Sequence, residues 1–401
     1  MVNMTAKAKR AIFILIFSEF LVCLGIGLVI PVMPFIKNEL HLSATDMGIM
    51  SALFAFAQFI ASPIVGRISD RIGRKPMLAA GLFLFMVSEI LFALTNKLYM
   101  FNISRTVGGL SAAMVTPTAM AMAADITTRS QRAKVIGWLS AAFSGGLILG
   151  PGLGGVLANI DYKAPFWSAA VLGLLSTIAL LVMLPHEDEL LADDIVAAKG
   201  KSPSKGDIKA FLTKSVILLF VMILVSSFGL QGFESIYSIY VNEVFHFTLG
   251  NIALVLTLNG LISLFMQVAL FDRLVVAFNE TRVIRYCFFF SFVGTIWIIL
   301  AHSKWEVVVA TLIVFTAFDL LRPAITTLLT KASSGNQGLI NGLNMSLTSV
   351  GNVIGPIMSG ALLDMNYHYP YLVVTVFLSA SFGLTYLIRM NVNGGGKHVT
   401  D

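Results

Sequence analysis

The sequence predicts an all-α polytopic membrane protein, with twelve transmembrane helices in two pseudo-symmetric six-helix bundles. Three observations carry that prediction: the composition, the length of the apolar runs, and a repeat at a fixed offset. Of 401 residues, 57% are apolar and only 12% charged, too few charges to solvate a water-soluble surface of this size. The mean hydropathy of +0.86 agrees. Such a composition excludes disorder, a disulfide scaffold, a coiled coil and a nucleic-acid module.

A bilayer core about 30 Å thick needs about 20 residues of helix, because each backbone N–H and C=O there must be paired within its own segment. Twelve stretches qualify: 11–33, 46–66, 76–95, 99–124, 135–159, 164–184, 215–241, 250–271, 283–301, 305–330, 339–363 and 371–389. Lys7, Lys9 and Arg10 precede the first. Its apolar run exceeds the roughly 7–15 residues of a signal-peptide core, and no small-x-small site follows, so a retained span is expected. Cys23 and Cys287 fall inside apolar runs and read as small buried hydrophobes, not as halves of a bridge.

Orientation follows from the loops, since cytoplasmic loops keep Lys and Arg. The N-terminal end, the even-numbered loops and the C-terminal end hold 20 of the 27 basic residues, and the odd-numbered loops hold 4. Arg105, Arg285 and Arg322 lie within segments. Both termini are therefore expected on the cytoplasmic side. This sorting accounts for the net charge of +6 without a nucleic-acid partner.

The connection 185–214 alone has a soluble composition, opening on His186-Glu187-Asp188-Glu189 and turning Lys-, Gly- and Ser-rich around Lys201-Ser202-Pro203. It divides the chain into an N-terminal bundle, 1–184, and a C-terminal bundle, 215–401. Across it the sequence repeats itself. Gly137, Gly146, Gly150-Pro151 and Gly154-Gly155 of the fifth segment recur as Gly342, Gly351, Gly355-Pro356 and Gly360 of the eleventh, shifted by 205. Pro117 and Pro323 match one residue out of register. Two related halves are the sequence trace of a transporter with its site between them, near the bilayer midplane.

Charges at membrane depth are costly and therefore informative. Arg105 lies in the fourth segment, Glu234 in the seventh, and Asp319 with Arg322 in the tenth. Asp319 and Arg322 are three apart, share a helix face with Phe315, and could pair. Gln231, Glu234 and Tyr237 form a polar stripe in an apolar helix. In general, burial and a nearby guanidinium act oppositely on a carboxyl group, so a modest rearrangement can load or release its proton. A static ion pair that fixes helix packing is the alternative. Glu19 and Glu89 also fall in apolar stretches and read as packing or pore-lining groups.

The connection after the second segment runs from Gly66 through Arg67, Asp70, Arg71, Gly73 and Arg74 to Lys75-Pro76. It reads as a loop whose glycines permit a tight turn and whose Asp can face a helix N-terminus. In the fifth segment, the small residues let another helix approach, and Pro151 interrupts the local ladder. Among many aromatics, Phe54, Phe143, Phe233, Tyr237, Phe315 and Phe318, with Gln58, neighbour the intramembrane charges or polar positions. Rings together with one or two carboxylates would suit flat lipophilic cations. Enzyme signatures are missing. Gly200-Lys201-Ser202 has Ile195 where a phosphate loop needs Gly, so no nucleotide cofactor or metal is expected, and an ion gradient must supply the energy.

These residues resemble the major facilitator superfamily, and specifically its twelve-span drug:proton antiporters, over essentially the whole chain. Gly66 to Lys75 is similar to the superfamily's loop signature, Arg105 with Gly108-Gly109 to its fourth-helix arginine motif, and Gly137 to Gly155 to the antiporter motif. The stretches Gly25–Pro31, Phe228–Tyr240 and Phe318–Thr326 resemble the NorA-type quinolone and dye exporters of Gram-positive bacteria. The resemblance implies that Glu234 and Asp319 couple protons and recognise cations, and that Arg105 is tied to proton movement. It also implies that Arg322, Asn344, Phe54, Gln58, Tyr237, Phe315 and Phe318 form the pocket, which Phe143 is expected to join from its place beside the polar positions. Gly66, Asp70, Arg71, Gly73 and Arg74, with Gly146, Gly150, Pro151, Gly154 and Gly155, would gate the conformational change. Ser144 stands where relatives often carry Asn, and Glu19 is an addition, so the substrate range would differ.

The expected protein is a monomeric exporter of the bacterial cytoplasmic membrane, moving small lipophilic drugs and dyes against protons. A symporter or a lipid-, metabolite- or single-drug transporter of the same superfamily is the alternative. A membrane receptor or intramembrane enzyme is a distant third.

Overall fold

The computed structural model describes residues 6–185, 214–332 and 337–388. The connection 185–214 lies outside them except at its two ends. The described residues form helices and turns with no strand, and twelve helices are long and apolar enough to cross a membrane. In order the spans are Lys7–Glu39, Ala44–Ile72, Arg74–Leu94, Leu98–Asp125, Lys134–Ala158, Ala164–Met183, Ser215–Phe245, Leu249–Phe278, Glu280–Leu300, Lys304–Leu329, Gly342–Met365 and Tyr369–Leu387. This is a multi-pass membrane protein.

Most spans outrun the apolar windows, because polar ends continue the helix once its centre is fixed in oil. The first passes through a 3-10 turn at Ile30–Val32 into Met33–Glu39. Pro31 and Pro34 stand at the first positions of these pieces, where a missing N–H costs nothing. The second span starts on a capping box, with Ser43 Oγ accepting from Asp46 N at 3.0 Å and Asp46 Oδ2 accepting from Ser43 N at 2.9 Å.

The expected loop at 66–75 is corrected. Helix runs on to Ile72 and resumes at Arg74, so Gly66 is helical and only Gly73, at φ 99°, makes the turn. Asp70 does not cap a helix either. It pairs with Arg74 at 2.5 Å, and Arg74 Nε also reaches Asp125 Oδ2 at 3.2 Å, tying the turn to the end of the fourth span. Helix is likewise continuous through Pro151, over Arg129–Ala158. The eighth span contains one π-helical turn, Met266–Leu270.

Packing repeats between the halves. The first span lies against the fifth and sixth and the third against the fourth and sixth, while the seventh lies against the eleventh and twelfth and the ninth against the tenth and twelfth. Backbones touch where the repeated glycines fall. A Cβ built on Gly150 would stand 2.5 Å from Gly27 Cα, one on Gly154 2.1 Å from Leu28 O, and one on Gly355 2.8 Å from Gly232 N. Both cysteines are buried and free.

Two seams join the halves, second span to eleventh and fifth to eighth. At one end the seams are shut: Lys37 pairs with Glu243, and Asn38 Nδ2 donates to Asn242 Oδ1 at 3.1 Å. At the opposite end, which carries Gly73, a Cβ on Gly66, Gly137 or Gly342 would meet nothing within 4 Å. Between the ends lies a cavity.

Candidate functional site

The cavity has a volume of about 550 Å³ and is walled by the fifth, seventh, eighth and tenth spans, with Ile30 of the first. Each wall has a different chemistry. The seventh span presents Leu230 and Glu234, the tenth Phe315, Phe318, Asp319, Arg322, Pro323 and Thr326. From the fifth come Phe143, Ser144, Leu147, Ile148 and Pro151, and from the eighth a polar line of Asn259, Ser263 and Gln267.

The two carboxyl groups reach one space from different helices. Gln231 Nε2 donates to Glu234 Oε2 at 3.0 Å, and Ser263 Oγ donates to Asp319. Glu234 and Asp319 lie close enough to act on each other electrostatically. The expected Asp319–Arg322 ion pair is absent among the described residues. Asp319 turns to the eighth span's hydroxyl, and Arg322 stands exposed in the cavity wall. One cavity thus offers two carboxyls and a separate guanidinium, set among rings.

Six of the ten residues expected to form the pocket line this cavity: Glu234, Asp319, Arg322, Phe143, Phe315 and Phe318. The other four stand behind or beside it. Tyr237 is buried, stacked on Phe233 with centroids 5.9 Å apart and edge-on to Phe315 at 5.6 Å. Asn344 is buried and donates to Thr326 Oγ1 at 3.2 Å, supporting a lining residue. Phe54 lies against the fourth span, its carbonyl 2.2 Å from a Cβ built on Gly109 and its ring 3.3 Å from one on Gly108. Gln58, one turn on, is half-buried outside the lining.

Arg105 is also away from the lining. Its guanidinium lies 4.5 Å over the Phe92 ring and feels the buried Glu89 of the third span. Glu19 accepts from Thr116 Oγ1 at 2.9 Å, tying the first span to the fourth. Of the gate residues, Gly146, Gly150 and Gly154 seat the fifth span on the first, Gly155 meets the eighth, and Pro151 lines the cavity. Arg71 is exposed beside the Gly73 turn.

The sequence reading missed Asn259, Ser263 and Gln267. Their signal was present: three polar residues at successive turns of an otherwise apolar helix. A second recess, about 720 Å³, is larger but lies among carbon of the eighth, ninth and tenth spans and holds no charged group. It therefore has no carboxyl group to pair with a cation or exchange a proton.

Twelve spans in two related bundles around a charged cavity between them define a secondary transporter fold. The chain belongs to the Major Facilitator Superfamily, whose profile matches residues 15–280 and 251–398. It is 42% identical over 379 residues to multidrug resistance protein 1 of Bacillus subtilis, covering 94% of this chain and 96% of that one. It is 36% identical over 372 residues to the quinolone resistance protein NorA of Staphylococcus aureus, covering 92% and 95%. Among solved structures, a bacterial homologue of the human lysosomal transporter Spinster superposes with a TM-score of 0.80 at 15% identity, covering 96% of this chain and 97% of that one. At that identity the likeness is one of fold.

Proposed function

We propose that this protein is a proton-coupled exporter of lipophilic, often cationic compounds, quinolones and dyes among them, in the bacterial cytoplasmic membrane. The observation that carries the reading is that Glu234 and Asp319, from different helices, face one ring-walled cavity. The relatives named for multidrug and quinolone resistance support the cargo class. Arg322 in the same wall extends it to cargo that also bears an anionic group.

The Lys and Arg sorting supports cytoplasmic termini, which puts the open end inside. Bodies 1–184 and 215–401 rock about the cavity, and one chain suffices. With the cavity open inward, the ionised carboxyls hold the cation against Phe143, Phe315 and Phe318. After rocking, protons arriving from outside neutralise the carboxyls, the attraction is lost, and cargo leaves. The turn around Gly73, with Asp70 and Arg74, ties the second and third spans to the fourth as the halves move. Arg105, in the N-terminal half with Glu89, responds to the proton rather than to cargo.

Glu234→Gln and Asp319→Asn keep shape and remove the exchangeable charge. In proteoliposomes each is expected to lower pH-gradient-driven dye export at least ten-fold. Full export by both variants would overturn the reading.

A further inference from the structure

The shut end of the molecule is symmetric at its centre and asymmetric at its flanks. The repeat shift of 205 relates Lys37 to Asn242 and Asn38 to Glu243. The two central contacts, Lys37–Glu243 and Asn38–Asn242, are therefore exchanged by the pseudo-two-fold axis.

On the seam between the second and eleventh spans, Asp364 caps the second span from the other half. Its Oδ1 accepts from Ala44 N at 2.8 Å, and its Oδ2 accepts from Thr45 N at 2.8 Å and Thr45 Oγ1 at 2.5 Å. Bonds to an ionised acceptor at a helix N-terminus combine charge assistance with the helix dipole. Lys37 also acts on Asp364, coupling this cap to the central pair.

Among the described residues the related seam, fifth to eighth, lacks every one of these bonds. Asn159 stands at the position of Asp364, exposed and, among the described residues, without a side-chain hydrogen bond. The caps supplied from within each span's own half match, Thr248 Oγ1 accepting from Asn251 N at 3.3 Å as Ser43 Oγ accepts from Asp46 N, so the bonds from Asp364 are an addition found on one seam. Packing follows the same asymmetry. A Cβ on Gly48 would stand 2.2 Å from Pro356 O, and one on Gly360 2.4 Å from Ala44 O, so the second and eleventh spans meet backbone to backbone. The counterpart of Gly48 is Ala253, whose methyl group fills the gap before Gly155, and the nearest backbone atom to a Cβ on Gly155 is Leu249 O at 3.4 Å.

We infer that Asp364 latches the second and eleventh spans, so that the shut end opens first along the fifth–eighth seam and swings about the latched one. The inference rests on the alternating-access reading above, but its test does not depend on cargo. In full-length protein carrying Cys23→Ser and Cys287→Ser, spin-label pairs at His41 and Met365, and at their repeat counterparts His246 and Ile160, report the two seams. All four positions are exposed. In the wild type, the long-distance population is expected on the Ile160–His246 pair and at most about a fifth as large on the other. Asp364→Ala should raise it on the His41–Met365 pair roughly five-fold, the effect of losing one helix cap. Asn159→Asp builds the missing cap and should lower it on the Ile160–His246 pair by a similar factor. Equal populations in the wild type, or either variant leaving its pair unchanged, overturns the latch. Dye export by the wild type tests the exporter reading separately, since a protein that exports nothing yet shows these distances refutes only that reading.

Discussion

Asp319 is held by a hydroxyl from a neighbouring helix, although a guanidinium stands three residues away on its own. The i, i+3 spacing permits the Asp319–Arg322 pair but does not enforce it, because side chains one turn apart can diverge toward different neighbours. Ser263 decides the matter by offering a short donor with little entropy to lose. Removing it tests that view. Ser263→Ala should weaken binding of a cationic dye to the purified protein by about three- to ten-fold, the scale of one ordinary hydrogen bond, while Ser263→Thr retains it. Dye fluorescence titration measures both. Charge is what made this site legible. Glu234, Asp319 and Arg322 stand out in apolar runs, whereas Asn259, Ser263 and Gln267 carry no charge and pass as ordinary helix surface. Phe54 and Gln58 stand outside the cavity lining for another reason. Which face of the second span meets the cavity is set by its packing on the fourth and eleventh spans, and periodicity alone does not contain that.

Helix existence was readable throughout, since backbone satisfaction in oil leaves no other option. Helix ends were not. The segment 66–75 carries loop-like glycines and charges, yet its side chains reach water from a helix as well as from a loop, so the helix continues to the single turn at Gly73. Glycine thus has two meanings here, and a Cβ separates them. Gly154→Ala drives a methyl group into Leu28 O and should lower the melting temperature in detergent, by an overpacking cost of about 1–3 kcal/mol. Gly137→Ala, in open space within the same helix, should raise it by up to about 1 kcal/mol of helix propensity. Equal shifts would mean that the repeated glycines do not seat the fifth span on the first.

Across the whole molecule, the 205-residue shift seen in the sequence returns as matched packing, with the first and fifth spans answering to the seventh and eleventh. What it could not supply was the contact between halves. Lys37 and Glu243 lie at the ends of the first and seventh spans, on opposite sides of the chain's midpoint, and only the closed seams bring them together. Reversing one charge, by Lys37→Glu or Glu243→Lys, should reduce dye export several-fold by setting like charges against each other at the shut end. The double reversal should recover most of it. Failure of the double variant to exceed either single one would show that the pair has no part in the cycle.

The wide turn at Met266–Leu270 bears on how the eighth span leaves the bilayer. Extended at regular spacing, the line Asn259, Ser263, Gln267 would next fall on Phe271 and set a ring against water at the open mouth. One surplus residue shifts that line to Asp272, which is exposed, while Phe271 packs against buried core residues. A single inserted position thus works as a phase correction: it lets one helix stay greasy toward its neighbours and wet along its inner edge as far as the point where it meets the solvent.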